Sequence, residues 1–353
     1  MRTSITCLAV VILVGCGGAS TPTHTSAGIG GSASGTSGGS SGSGSTSGNS
    51  STGSSSSTTG SSTSTSTSTS SSSTGTSGAT VAPSGCFTDV SAGHHQFSCE
   101  GGIRYDVEIP TACASGGCGL ILDTHGFTMN ADQEDLGTNM RALGKQNGYI
   151  VAQPTAPGAI PSWDPADTYG PPLLAFVQTA MTAMAVDPKR VHAMGFSQGG
   201  GMTWWLICGH TTLFASVAPI SAGGVGGCTF IAPDAPAAEL PVMQVHGHHD
   251  NIVNFDTTAL PQRDAALGYW NDGTGTVIEQ DAAHIATRYL SPSGTPFEFW
   301  EHDYQADSTI LGGHCFPGGT DVGPLPDQFG CADANQFVVG QLAMQFFLAH
   351  PKP

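Results

Sequence analysis

The residues best suited to chemistry are a serine between glycines, an aspartate just past an apolar run, and a histidine in a glycine-rich loop. The serine lies in Gly195-Phe196-Ser197-Gln198-Gly199. A serine hydroxyl is a weak nucleophile until a base takes its proton, and the base needs a carboxylate to orient it. Downstream, Pro241-Val242-Met243-Gln244-Val245-His246-Gly247-His248-His249-Asp250 ends an apolar run on Asp250, and Gly312-Gly313-His314-Cys315-Phe316-Pro317 holds His314. The order Ser197, Asp250, His314 suits acyl transfer. His314 takes the Ser197 proton, and Asp250 fixes the imidazole tautomer and stabilises the imidazolium.

The developing oxyanion needs two preorganised N–H groups. One is the backbone N–H of Gln198, directly after the nucleophile. The other comes from Thr124-His125-Gly126-Phe127, where position favours the Phe127 N–H, with Thr128 next. Competitors for the other roles are Asp256 as the acid and His284 or His302 as the base. His246, His248 and His249 beside Asp250 suggest a metal cluster, but side chains alternate across a strand, so convergence would need a turn. No CxxC pair is present. The reading therefore includes no metal and no cofactor.

These residues need a scaffold. Ile103–Ile109 alternates apolar and polar as an edge strand that Pro110 stops. Leu120-Ile121-Leu122 and Tyr149–Ala152 are short continuous apolar runs, the pattern of buried parallel strands. Further strands are expected at Val191–Met194, Phe214–Val217, Val242–Val245 and Phe297–Trp300. Helices are expected at Glu134–Gln146, Pro172–Met184, Met202–Ile207 and Asn335–Leu348. Alternating strands and helices imply an α/β fold, a mostly parallel central sheet with helices on both faces. Gly-x-Ser-x-Gly is a weak pattern in a chain with 50 glycines. A strand before it and a helix after it are the context of a nucleophile elbow, with Ser197 at a positive helix N-terminus.

From about Gly101 onward the chain resembles secreted α/β-hydrolase esterases, the group of polyhydroxybutyrate depolymerases and feruloyl or acetylxylan esterases. The resemblance rests on Asp187-Pro188-Lys189-Arg190-Val191 leading into the Ser197 elbow, His246-Gly247 ahead of Asp250 and Val253, and Gly313-His314-Cys315-Phe316-Pro317. It implies the α/β-hydrolase fold, the Ser197, Asp250, His314 triad, and a substrate-binding aromatic, Trp163, in Pro161-Ser162-Trp163-Asp164; Thr128 is the other residue expected to bind substrate. Trp204 and Trp205 behind the elbow are expected in the core. The expected substrate is a small ester or an ester-bearing polymer. A cell-envelope acyltransferase and a non-catalytic surface-binding lipoprotein are the rival readings, and the intact Ser197 argues against the second.

Net charge is −17 with nine Lys and Arg, which argues against nucleic acid and anionic polymers as partners. At the N-terminus Arg2 precedes the apolar run Ile5–Val14, and Leu13-Val14-Gly15-Cys16 resembles a lipobox. Residues 1–15 are thus expected to be a lipoprotein signal peptide. Cys16 is expected to be lipidated and to anchor the exported chain at the outer membrane or cell surface; secretion without an anchor is the alternative. Residues 16–85 form a linker, almost all Ser, Gly and Thr from Ser20 to Pro83. Such a tract has too little apolar surface to offset the entropy of ordering it, and as a coil it spans roughly 45 Å. The catalytic domain is 86–353. Past the signal and Cys16, eight cysteines remain, an even count that in an exported chain reads as disulfides. Nearest-neighbour pairing gives Cys86–Cys99, Cys113–Cys118, Cys208–Cys228 and Cys315–Cys331.

Overall fold

The computed structural model describes residues 85–353 except 209–211, 224–227, 229, 231–235, 237, 320–328 and 332–336. The signal segment, Cys16 and the Ser/Gly/Thr tract lie outside the described residues. The central element is a ten-stranded sheet. Its strands are β1 (Gly93–Ser98), β2 (Arg104–Ile109), β3 (Gly119–Thr124), β4 (Tyr149–Thr155), β5 (Val191–Phe196), β6 (Ser216–Ile220), β7 (Val242–Gly247), β8 (Thr276–Gln280), β9 (His284–Leu290) and β10 (Pro296–His302). They lie in the order β1-β2-β4-β3-β5-β6-β7-β10-β9-β8. The run from β4 to β10 is parallel, and antiparallel strands close both edges.

The apolar runs account for the parallel core. Every residue of β3, β5, β6 and β7 is buried. Alternate side chains serve opposite faces, as the pleat requires. Leu120 and Leu122 pack with Phe176, Leu206 and Ala266, whereas Ile121 packs with Met140, Ala343 and Phe347 on the other face. Helices α3 (Ala166–Ala183), α4 (Gln198–Ile207) and α5 (Leu260–Trp270) thus cover the first face, and α2 (Met140–Asn147) and α6 (Val339–Ala349) the second. Helix α1 (Ala131–Thr138) precedes α2.

Several expected elements change. Ile103–Ile109 is not an edge strand, because β1 pairs along its outer side. The helix expected at Glu134–Gln146 breaks into α1 and α2 at Asn139, whose φ is 53°. Helix α3 begins at Ala166, before Pro172, and carries Pro171 and Pro172 inside it. All four expected disulfides form.

Candidate active site

Ser197 sits between β5 and α4 with φ 53° and ψ −116°, left-handed backbone that a residue with a Cβ rarely adopts. Its N–H donates to the Ile220 carbonyl at 2.9 Å, and its carbonyl accepts from Gly201 at 3.0 Å and Gly223 at 3.1 Å. Crossing backbones dictate the two flanking glycines. A Cβ on Gly195 or Gly199 would run into the Thr124 carbonyl. Thr124 ties the crossing together, its Oγ1 lying 3.0 Å from the Met194 carbonyl oxygen and 2.9 Å from that of Gly199. The turn thus points Ser197 away from the sheet, at the head of α4.

Asp250 and His314 come from the loops after β7 and β10, and the structure brings them together. His314 Nδ1 donates to Asp250 Oδ2 at 2.7 Å, with both side chains almost fully buried. Asp250 Oδ1 accepts the Ile252 and Val253 N–H groups at 2.9 and 2.7 Å. Burial alone would raise the Asp250 carboxyl, but its bonds to His246 and His314 outweigh that and hold it well below the usual carboxylate range. Asp250 is therefore an ionised acceptor, so His314 carries its proton on Nδ1 and keeps a lone pair on Nε2. The His314 ring lies 4.7 Å from that of Phe196, next to Ser197. No hydrogen bond joins Ser197 Oγ to His314 among the described residues. Such bonds are often long without substrate and tighten in the complex.

The loop after β3 faces the same turn, since a Cβ on Gly126 would lie 3.3 Å from Ser197 Cβ. His125 organises this loop. Its Nδ1 meets the Gly126 carbonyl at 2.6 Å, and its Nε2 accepts the Ala156 N–H at 3.0 Å. Burial holds the ring down to a pKa of about 4, so it stays neutral. Met129 N–H also binds the Gly126 carbonyl, at 3.1 Å. A trans peptide sets C=O and N–H in opposite directions, so the Phe127 N–H points away from these partners. Thr128 does not fit the donor role, because its N–H is spent on the Pro161 carbonyl at 2.9 Å. Gln198 begins α4, so its N–H has no partner within the helix. The Gln198 side chain accepts the Trp163 N–H at 3.0 Å and so ties the 161–164 loop to the elbow.

Trp163 is fully buried and has no surface left for a substrate. Its indole N–H donates to the His125 carbonyl at 2.8 Å, bracing the Gly126 loop from behind. Trp204 and Trp205 are in the core, as expected. Among the described residues none of the reserve residues is hydrogen-bonded to Ser197 or His314. Asp256 is exposed in the π turn Phe255–Ala259, and His284 Nε2 pairs with Glu279 at 3.1 Å. Among the described residues His302 is buried with no side-chain hydrogen bond, and burial holds it down to about 3. His248 turns to Glu301 and Asp303, whereas His246 turns to Asp250. Among the described residues no cluster of His, Cys, Asp or Glu is arranged to hold a metal ion. One further Ser–His contact, His192 Nδ1 to Ser216 Oγ at 2.8 Å, is inside the sheet, where His192 Nε2 meets the Tyr149 hydroxyl at 3.3 Å. Among the described residues no carboxylate is hydrogen-bonded to that pair.

Residue types and spacing gave no sign of one further feature. Phe127, Ile160, Ile252 and Ile310 are exposed large apolar side chains on the loops that carry the site. The loop bearing Ile252 is tied to that bearing Ile310 by Asn251 N–H to the Leu311 carbonyl at 3.1 Å.

Residues 171–291 match the model of a family described as phospholipase/carboxylesterase. The chain is 26% identical over 137 residues to a bifunctional acetylxylan esterase/xylanase of Neocallimastix patriciarum, covering 38% of this chain and 20% of that protein. It is 25% identical over 236 residues to feruloyl esterase B of Thermothelomyces thermophilus, covering 55% and 75%. It is 33% identical over 128 residues to a poly(3-hydroxybutyrate) depolymerase of Ralstonia pickettii, covering 31% and 26%. The chain thus spans only a fifth to about a quarter of the first and third of these relatives. The strand order, the strained turn at Ser197 and the match over residues 171–291 give the chain an α/β-hydrolase fold, and parts of its length are similar to esterases.

Proposed function

We propose that the chain is a serine carboxylic ester hydrolase acting through an acyl-enzyme on Ser197. The observation that carries this reading is the buried Asp250–His314 pair, which leaves the His314 Nε2 lone pair free and packs the ring against Phe196, one residue before the strained serine. Ser197 Oγ attacks the ester carbonyl carbon while its proton passes to His314 Nε2. The carbonyl oxygen becomes an oxyanion held by the Gln198 and Phe127 N–H groups. As the carbon–oxygen bond to the alcohol breaks, His314 returns the proton to the leaving alkoxide. Water then attacks the acyl-enzyme by the same route, releasing the acid and Ser197.

Phe127, Ile160, Ile252 and Ile310 favour apolar, uncharged acyl or alcohol groups, and the net charge of −17 disfavours anionic ones. Feruloyl or acetyl esters of plant polysaccharides and hydroxyalkanoate oligomers are the substrate classes proposed. The disulfides agree with export. Lipidation at Cys16, with the Ser/Gly/Thr tract as a tether to the membrane, is the proposed attachment. It predicts palmitate labelling that Cys16→Ser abolishes. Methyl ferulate, acetylxylan and hydroxybutyrate oligomers test the substrate, with Ser197→Ala as control. Hydrolysis of none of them, or hydrolysis that survives Ser197→Ala, overturns the reading.

A further inference from the structure

Asp250 has one more donor than orienting His314 requires. Its Oδ1 is occupied by the Ile252 and Val253 N–H groups, and its Oδ2 by His314 Nδ1. A second imidazole also reaches Oδ2. His246 Nε2, on β7, lies 3.3 Å from it and 2.8 Å from the Val253 carbonyl oxygen. Both neighbours are acceptors, so Nε2 must bear a proton. The other ring nitrogen, Nδ1, is buried with no hydrogen-bond partner among the described residues. A proton there would leave a buried N–H unpaired, so the ring is the neutral Nε2–H tautomer.

Among the described residues no side chain other than His314 and His246 reaches Asp250 Oδ2. His302 on β10 is opposite Gly247, and among the described residues His302 is buried with no side-chain hydrogen bond. His248 is committed to Glu301 and Asp303. Without His246, Oδ2 would keep only His314, and the Val253 carbonyl would lose its bond to the ring. The Asp250 carboxylate sits on a turn just beyond the end of β7, and a side chain from that strand reaches forward to fix it.

We propose that His246 is a positioning residue for the reaction. Its Nε2–H clamps Asp250 Oδ2 to the Val253 turn, so that the carboxylate faces His314 Nδ1 in a single orientation. The inference rests on the triad reading given above, in which Asp250 and His314 act with Ser197. A neutral clamp also withdraws charge from the carboxylate, so its loss leaves Asp250 more negative and imidazolium at His314 more stable.

The test compares the full-length chain with His246→Leu and His246→Gln on p-nitrophenyl butyrate, counting active sites with a fluorophosphonate. A hydrogen bond to a charged group supports a fall in kcat of about tenfold to a hundredfold for His246→Leu. KM should stay within about twofold, because the lost interaction acts on the transition state. The acid limb of the kcat/KM profile should move up in pH. His246→Gln, which keeps a side-chain N–H, should recover most of the loss. In the wild-type protein, ¹⁵N spectra of the histidines should report His246 as the neutral Nε2–H tautomer, a reading that no variant's folding can affect. Wild-type kcat in folded His246→Leu, a folded Gln variant no better than Leu, or an Nδ1–H or cationic His246 would each overturn the proposal. Failure of the triad reading would look different, as wild-type protein taking up no fluorophosphonate at Ser197.

Discussion

Replacing Asp250 by Asn changes one atom at the most constrained point of the site. The Ile252 and Val253 N–H groups, at 2.9 and 2.7 Å, require an acceptor at the Oδ1 position, so the new amide must place its oxygen there. Its NH₂ then occupies the Oδ2 position, where His314 Nδ1 stood 2.7 Å away as a donor. Two donors cannot face each other, so His314 must present its lone pair at Nδ1 and move its proton to Nε2. The ring then has no lone pair for the Ser197 proton. The loss expected is about 10⁴-fold in kcat, roughly 5 kcal/mol of transition-state stabilisation. KM should change little. Steady-state kinetics on p-nitrophenyl butyrate measures the loss, and ¹⁵N spectra of His314 report the tautomer. An Asp250→Asn protein that keeps kcat within about tenfold of wild type, or that keeps the proton on His314 Nδ1, would refute this reasoning.

Gly199→Ala puts a methyl into the Thr124 carbonyl and within 2.7 Å of the His125 carbonyl oxygen; both obstacles are backbone, so no rotamer relieves the clash. Overpacking of this kind costs about 1–3 kcal/mol, so thermal denaturation should show Tm lowered by roughly 2–12 °C, with activity falling too. Removing the Cys315–Cys331 bridge, which spans the Phe316–Phe329 and Phe316–Cys331 backbone bonds beside His314, should lower kcat under conditions where circular dichroism shows an intact fold. Full activity after reduction would show that the bridge does not brace His314. Burial, with Arg190 nearby, holds His192 down to about 3, so the unfolded chain binds its proton first as pH falls through 6.5. The stability from neutral His192 is therefore present above pH 6.5 and is lost progressively towards pH 3. In urea titrations His192→Gln should make the slope of unfolding free energy against pH shallower by about 1.4 kcal/mol per unit in that window, and an unchanged slope would contradict the burial argument.

The elbow was legible because it is local: strand, Gly195, Ser197, Gly199 and helix are contiguous, and each glycine has a steric reason. That Asp250 and His314 would meet was legible because loops at the carboxyl ends of parallel strands converge, whatever their distance in sequence. The sheet edges were not. Gly93–Ser98 has one buried apolar residue, Phe97, and Thr276–Gln280 is exposed throughout. Such strands exist because a neighbour offers a hydrogen-bonding edge, not because their own pattern demands it. The contact of His246 with Asp250 had no sign in the sequence for a related reason. Alternation across a strand separates neighbouring side chains, but β7 stops at Gly247 and the turn brings Asp250 back under His246. Trp163 and Thr128 also took other work. Packing behind His125 and a bond to the Pro161 carbonyl depend on loops whose paths no periodicity encodes.

In the proposed reaction Ser197 is the residue acylated during turnover. Treating the full chain with a fluorophosphonate and mapping the adduct by mass spectrometry tests it most directly, alongside the pre-steady-state burst with a p-nitrophenyl ester. A single adduct is expected, on Ser197, with loss of activity in proportion to labelling and a burst of about one equivalent. An adduct on another serine, Ser216 beside His192 included, or full activity in a chain labelled at Ser197, would contradict it.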